Sequence, residues 1–229
     1  MMPDAADRPL VRSFGRKGGR PLSQRQKTLL AERLHLWEVP AGDAPIDPEV
    51  LFPGTQDIWL EIGFGGAEHL IAQAARHPQA GLIGCEPFIE GVAKAVAGIE
   101  DAGLTNVRLW PDDARLLLTR LPEASLARVF ILFPDPWPKR RQQKRRLVQP
   151  DFLRLLRSRM QPGARVRFAT DVRSYADEAL LAFLSAGGFE WTATVARDWQ
   201  AAPEDHVTTR YESKQLGDCQ PVWIECVSA

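Results

Sequence analysis

DIWLEIGFGGAEHL, residues 57–70, is the stretch on which the fold turns. A mostly apolar run ends at Gly63, Gly65 and Gly66, and helix-forming residues follow at once, so a strand must turn sharply into a helix. The same pattern recurs downstream. AGLIGCE (80–86) precedes a helix from about Ile89 to Asp101, NVRLW (106–110) precedes a helix over ARLLLTRL (114–121), and ARVFILF (127–133) reads as a fourth strand. A helix over Asp151 to Met160, the strand ARVRFATD (164–171) and a helix from about Ser174 to Ala186 come next. Two last strands, Phe189 to Val195 and Pro221 to Val227, have no convincing helix between them and are expected to pair antiparallel. The alternation predicts an α/β fold with a mostly parallel seven-stranded sheet, covered on both faces, whose last strand is antiparallel.

Upstream of this block, Ser23 is placed to cap a helix from about Gln24 to Trp37, and residues 40–53 read as a linker. Residues 1–21 hold Pro, Gly and Arg without an apolar period, which predicts a basic N-terminal arm. The expected organisation is an arm over 1–21, a helix and linker over 22–56, and a single domain over 57–229.

Lys and Arg number 29 and Asp and Glu number 29, but the balance is a sum of opposites. Seven cations and no acid lie between Arg8 and Lys27, six more cations crowd Lys139 to Arg146, and acids dominate Asp57 to Leu104. Such segregation speaks to partners. Three cysteines (Cys85, Cys219 and Cys226) without CxxC spacing suggest neither a disulfide framework nor zinc, and the four histidines show no metal spacing. Without an apolar run of membrane length, a cytoplasmic chain with no membrane contact and no metal is expected.

In sheets of this kind ligands gather at the carboxyl ends of strands. Gly63, Gly65 and Gly66 permit close backbone approach after the first strand, Glu86 ends the second where it can accept from ribose hydroxyls, and Asp112 and Asp113 end the third near a purine amine. One of these two aspartates is also placed to cap the following helix. A dinucleotide would want a third glycine where Glu68 stands, and its pyrophosphate would meet that acid. S-adenosylmethionine carries an ammonium, a sulfonium, a ribose diol and an adenine amine but no phosphate. It suits Glu61, Glu86 and an Asp at three strand ends better than NAD does.

FPDPWPKRRQQKRR, residues 133–146, follows the fourth strand. Pro134, Pro136 and Pro138 restrict the backbone around Asp135 and Trp137, so a carboxylate able to bind guanine and an indole able to stack on a base are held in set directions. The six cations beyond them can meet phosphates.

These segments together resemble the bacterial tRNA (guanine-N7)-methyltransferase family: EIGFG, FPDPWPK with KRR, ATD ending at Asp171, and TRYE at Thr209 to Glu212. The resemblance covers about residues 55–229. It implies a Rossmann-like class I S-adenosylmethionine-dependent methyltransferase fold and methylation of the variable-loop guanine of tRNA, position 46 in conventional tRNA numbering. Carried over residue by residue, it makes Glu61, Gly63, Gly65, Glu86 and Asp113 cofactor contacts and puts Asp135 at the junction of cofactor and base, as the catalytic residue. It makes Lys139, Asp171, Thr209, Arg210, Tyr211 and Glu212 substrate contacts, and Arg141, Lys144, Arg145 and Arg146 RNA contacts. The family usually shows a further glycine around Ala67, so a positive φ there would strain this turn. Other readings stay open on the residues alone. An adenine N6-methyltransferase uses DPPW-like loops, which differ in order from PDPW here, and a non-catalytic RNA-binding protein would use the basic segments only. A monomer is the default expectation, a homodimer the alternative.

Overall fold

The computed structural model describes residues 21–229. The basic arm expected over 1–21 therefore lies, up to residue 20, outside the described residues.

Seven strands form one sheet: β1 (Asp57–Ile62), β2 (Ala80–Cys85), β3 (Val107–Trp110), β4 (Leu126–Leu132), β5 (Met160–Thr170), β6 (Phe189–Trp191) and β7 (Val222–Ser228). Their order is β3-β2-β1-β4-β5-β7-β6. β1 to β5 pair in parallel, and β7 runs antiparallel against both β5 and β6, as the sequence pattern predicts. Eight α-helices lie among the described residues: α1 (Gln24–Arg33), α2 (Pro48–Leu51), α3 (Glu68–Arg76), α4 (Ile89–Asp101), α5 (Ala114–Leu118), α6 (Pro150–Arg159), α7 (Arg173–Ala186) and α8 (Arg197–Gln200).

Successive side chains of a strand point to opposite faces, and β1 divides the core accordingly. Leu60 and Ile62 join a layer with Leu117, Phe152, Leu153, Tyr175 and Phe183 from α5, α6 and α7. Trp59 joins the other layer, with Leu70, Ala74, Val92, Val96 and Ile99 from α3 and α4. Glu61 shares Trp59's face, so an acid is carried into the layer beside α3. That is the first step toward a site.

Two upstream expectations change. The helix expected to run to Trp37 ends at Arg33, is followed by a 3₁₀ turn over Leu34–Leu36, and gives way to a chain that pairs with the free edge of β3. The Val39 N–H donates to the Leu109 carbonyl at 2.9 Å and the Leu109 N–H to the Trp37 carbonyl at 2.7 Å, so backbone pairing at the sheet edge wins over further helix. Residues 40–53 are packed rather than linking: Asp47 caps α2, and Val39, Ile46, Leu51 and Phe52 are buried. Phe52 occupies space that a Cβ at Gly81 would enter to within 2.5 Å, which ties this segment to β2.

Candidate active site

β1 and β4 are neighbours from which the strand order departs in opposite directions, so the sheet has its switch point between them. A cavity of about 750 Å³ opens there, a volume suited to a nucleoside-sized ligand. The ends of β1, β2 and β3 bring Glu61, Gly63, Gly65, Glu86, Asp112 and Asp113 to its lining; the loop after β4 brings Asp135 and Trp137, and the segment before β7 brings Thr209, Arg210 and Tyr211. Residues expected to hold cofactor and residues expected to hold base thus share one lining, which Lys139, Asp171 and Glu212 do not join.

The part expected to hold cofactor is built on the turn after β1. Gly63 has φ 78° and Gly65 φ 55°, conformations that glycine adopts without steric cost. Ala67, at φ 66°, takes the left-handed position that the sequence flagged, and this costs about 1 kcal/mol. Its methyl is fully buried against the α3 and α4 layer, which offsets part of that cost. Gly91, in the first turn of α4, sits against this same loop: a Cβ there would lie 2.4 Å from the Gly65 carbonyl oxygen.

Glu86 is the brace of the turn. Its Oε2 accepts from the Gly65 N–H at 2.8 Å and its Oε1 from the Phe88 N–H at 2.9 Å. Each carboxylate oxygen has a second lone pair, so ribose hydroxyls can still be received. Burial holds the Glu86 carboxyl above the usual carboxylate range; the two backbone bonds pull it down, and the charges of Asp135 and Glu61 push it up again. Asp135 and Glu61 therefore act on Glu86 through space, and the three acids form one negative cavity that favours a cationic ligand.

Glu61 is buried, and its Oε2 lies 2.7 Å from His69 Nδ1. His69 Nε2 lies 3.2 Å from Gln73 Nε2, whose other hydrogen goes to the Asp205 carbonyl at 2.9 Å. With Gln73 donating, His69 accepts at Nε2 and donates from Nδ1 to Glu61, which fixes the tautomer. In the sequence His69 is one of four histidines without metal spacing, and nothing marks it further. Its spacing eight residues after Glu61 becomes meaningful only once the face that α3 turns to the sheet is known.

Asp113 caps α5 through the Arg115 N–H at 2.9 Å and holds the Arg115 guanidinium at 2.9 and 2.7 Å. Asp112 accepts from the Asp113 N–H at 2.8 Å. The cap that sequence reading allowed to either aspartate is thus Asp113, and an adenine amine reaching Asp113 would share that carboxylate with its cap.

On the base side, Phe133 and Trp137 have φ 51° and 42°, and each precedes a proline. Large side chains rarely adopt this conformation, and pre-proline positions favour extended backbone, so the loop carrying Asp135 is strained at both ends by about 1–3 kcal/mol each. Asp135 itself is exposed at the cavity wall. The Arg145 guanidinium lies 5.1 Å from the Trp137 ring centroid. Residues Arg140–Arg145 form a 3₁₀ helix in which Arg140, Arg141 and Lys144 are exposed, as is Lys139 ahead of it. Arg146 differs: it is only 2% exposed, with its guanidinium turned into the protein. The RNA contact expected of Arg146 is thereby corrected, because the chain leaves the 3₁₀ helix at this residue and turns its side chain inward.

Asp171 and the TRYE segment meet in an adjoining cavity of about 400 Å³ lined by Phe133, Asp171 and Glu212. The Tyr211 hydroxyl points to Asp171 Oδ1 at 3.4 Å; burial, Asp171 and then Asp135 push this phenol up to about 12. Glu212 accepts from the Thr209 N–H at 2.8 Å and faces His206 Nε2 at 2.9 Å, bonds that outweigh its burial and hold its carboxyl below the usual range. The preceding residue pair is anchored too, because Asp205 binds Arg128 and Arg167 at 2.7 Å each. Gly217 touches the Asp171 backbone and side chain so closely that a Cβ would lie 2.1 Å from the Asp171 carbonyl oxygen. Among the described residues no cluster of His, Cys, Asp and Glu could hold a metal ion, and no helix is long and apolar enough to cross a membrane.

Comparison with known proteins bears on this arrangement. The family model described as "Putative methyltransferase" matches residues 55–224. The chain is 66% identical over 215 residues to the tRNA (guanine-N(7)-)-methyltransferase of Hyphomonas neptunium, covering 94% of this chain and 98% of that one. It is 50% identical over 215 residues to the protein of the same name from Caulobacter vibrioides, covering 94% of each. Among solved structures, the 16S rRNA methyltransferase KamB superposes with a TM-score of 0.58 at 15% identity, covering 84% of this chain and 99% of that one. At that identity the likeness is one of fold.

Proposed function

The chain belongs to the tRNA (guanine-N(7)-)-methyltransferase family, and we propose on that footing that it transfers a methyl group from S-adenosylmethionine to N7 of a guanine in tRNA, in the cytoplasm. The observation that carries this reading is the convergence of Glu61, Glu86 and Asp135 on one cavity at the switch point, with exposed cations at its rim. Position 46 of the variable loop is the guanine that the family pattern implies.

The residues fit S-adenosylmethionine. Glu61 would meet the ammonium, Glu86 the ribose diol and Asp113 the adenine amine, while the glycines let the backbone close on the ligand. When bound, S-adenosylmethionine would supply an electrophilic methyl on sulfur for the lone pair of guanine N7, with its thioether as leaving group and a cationic purine as product. No proton has to leave N7 beforehand, so the chain needs no general base. What its residues do instead is align and stabilise. Asp135 accepts from the guanine N1–H and amino group and offsets the positive charge that develops on the purine. Trp137 offers a face to the base. Asp171, Thr209, Tyr211 and Glu212 form the wall behind it, and Lys139, Arg141, Lys144 and Arg145 hold the RNA backbone.

Incubation with unmodified tRNA and S-adenosylmethionine, followed by mass mapping of the nucleosides, tests the reading. 7-Methylguanosine at a single position is the expected product. A 6-methyladenosine product, or binding of tRNA without methylation, would overturn it.

A further inference from the structure

Arg146 carries an inference that rests on this proposed activity and deepens it. Its guanidinium makes three hydrogen bonds, Nε donating to the Pro136 carbonyl at 2.8 Å, Nη1 to the Ser174 carbonyl at 3.0 Å and Nη2 to Ser174 Oγ at 2.9 Å, and Nη1 forms an ion pair with Glu178 Oε2 at 2.6 Å. The guanidinium also lies over the Tyr175 ring, 4.8 Å from its centroid, and Tyr175 in turn accepts from the Val148 N–H at 3.2 Å. The Arg146 side chain is fully buried.

Pro136 is the residue between Asp135 and Trp137, and its carbonyl is where Arg146 takes hold. Both ends of this loop sit in left-handed backbone that their residue types disfavour. Such a conformation persists only where the surroundings over-determine it. Phe133 is fixed by its N–H to the Ala169 carbonyl at 2.8 Å and by ring contacts with Tyr211 and Trp223. At the other end the Arg145 guanidinium lies over the Trp137 ring, and Arg146 supplies the buried connection from the loop's backbone to α7.

We propose that Arg146, with Ser174 and Glu178, is a positioning clasp: it holds the strained Pro134–Trp137 loop so that Asp135 meets the guanine, and it makes no contact with RNA phosphate. Adjacent cations then have divided tasks. Arg145 and its exposed neighbours face the rim, and Arg146 secures the loop that they flank.

The test compares wild type with Arg146→Ala, Ser174→Ala and Arg141→Ala by four readouts. These are the single-turnover rate of methyl transfer to unmodified tRNA, S-adenosylmethionine affinity by calorimetry, the dependence of tRNA affinity on salt, and hydrogen exchange of the peptide covering residues 130–147. For Arg146→Ala the clasp predicts a rate about 10–100-fold lower, because a loosened catalytic group loses alignment. Cofactor affinity, tRNA affinity and the salt slope should stay within about twofold of wild type, and exchange at Asp135 and Trp137 should be faster. Arg141→Ala should do the opposite, weakening tRNA binding and lowering the salt slope by about one. Ser174→Ala removes one bond at little risk to folding. It should show the Arg146→Ala signature at about 3–5-fold in rate, the worth of one hydrogen bond, and it decides the matter if Arg146→Ala does not fold.

A reduced salt slope in Arg146→Ala would make Arg146 a phosphate contact and overturn the clasp. So would unchanged rate and exchange in Ser174→Ala together with a folded, fully active Arg146→Ala. If wild type itself transfers no methyl to tRNA, the proposed activity fails, and exchange alone then judges the clasp: faster in the variants supports it, unchanged contradicts it.

Discussion

The two walls of the cavity reach order by opposite means. On the wall proposed for the cofactor, glycines occupy two of the three left-handed positions, and the acids are held by near neighbours, Glu86 by the Gly65 and Phe88 N–H groups and Glu61 by His69. On the base wall, Phe133 and Trp137 are forced into conformations that suit neither, and the loop depends on contacts from elsewhere. A turn that a ligand must approach closely is built from small, relaxed residues. A loop that must aim one carboxylate and one indole keeps its large residues and is braced from outside.

Removing the aimed group should have the largest effect. Asp135→Ala is expected to lower single-turnover methyl transfer by about 10²–10³-fold, the usual loss when a group that stabilises developing charge is removed, while tRNA binding by filter retention stays near wild type. Near-normal turnover would erase the functional contrast between the walls. Next comes Gly217→Ala. Its Cβ would meet the Asp171 backbone and side chain, and an overpacking penalty of about 1–3 kcal/mol, if it is relieved by moving Asp171, corresponds to roughly 10–100-fold in kcat/KM for tRNA with S-adenosylmethionine affinity unchanged.

Gly91→Ala probes the other wall and should reverse that pattern. Pressing on the Gly65 carbonyl, it should weaken S-adenosylmethionine binding by about tenfold in calorimetry and leave tRNA affinity intact. Equal losses of both ligands would mean that the walls are not separable.

A smaller effect is expected from pH. The folded protein raises the Glu86 carboxyl above its ordinary value of 4.5, so the stability this group contributes is present below 4.5 and is lost as pH rises through the raised value. Without cofactor, the difference in Tm between wild type and Glu86→Gln should therefore shift against wild type over that window. Saturating S-adenosylmethionine, which favours the charged carboxylate, should cancel the shift. The smallest effect belongs to Ala67→Gly. Relief of left-handed strain, about 1 kcal/mol, is opposed by a lost buried methyl and a more flexible unfolded chain, so urea unfolding should change by under about 1 kcal/mol.

How much of this was written in the sequence follows the same division. Glu61, Gly63, Gly65 and Glu86 were legible because strand ends and glycine turns are local signals, and the parallel pairing of the sheet follows from alternation. The strand-end acids were also legible as a group, since a parallel sheet brings such ends together. His69 was not, because its pairing with Glu61 depends on how α3 is rotated against β1. Arg146 looked like its five neighbours because a run of cations carries no mark of which one turns inward where the 3₁₀ helix ends. The packed segment 40–53 read as a linker because its buried apolar residues, Ile46, Leu51 and Phe52, follow no regular period. Gly217 was silent in the sequence, since only contact with Asp171, 46 residues earlier, explains it.

The central claim is that this cavity brings the lone pair of guanine N7 to a methyl group without a proton transfer. Transfer to a tRNA carrying 7-deazaguanosine at the acceptor position, where carbon replaces N7, tests it most directly. The account predicts that this tRNA binds as tightly as the guanosine form and receives no methyl group; methylation of the 7-deaza tRNA at the same residue would contradict it.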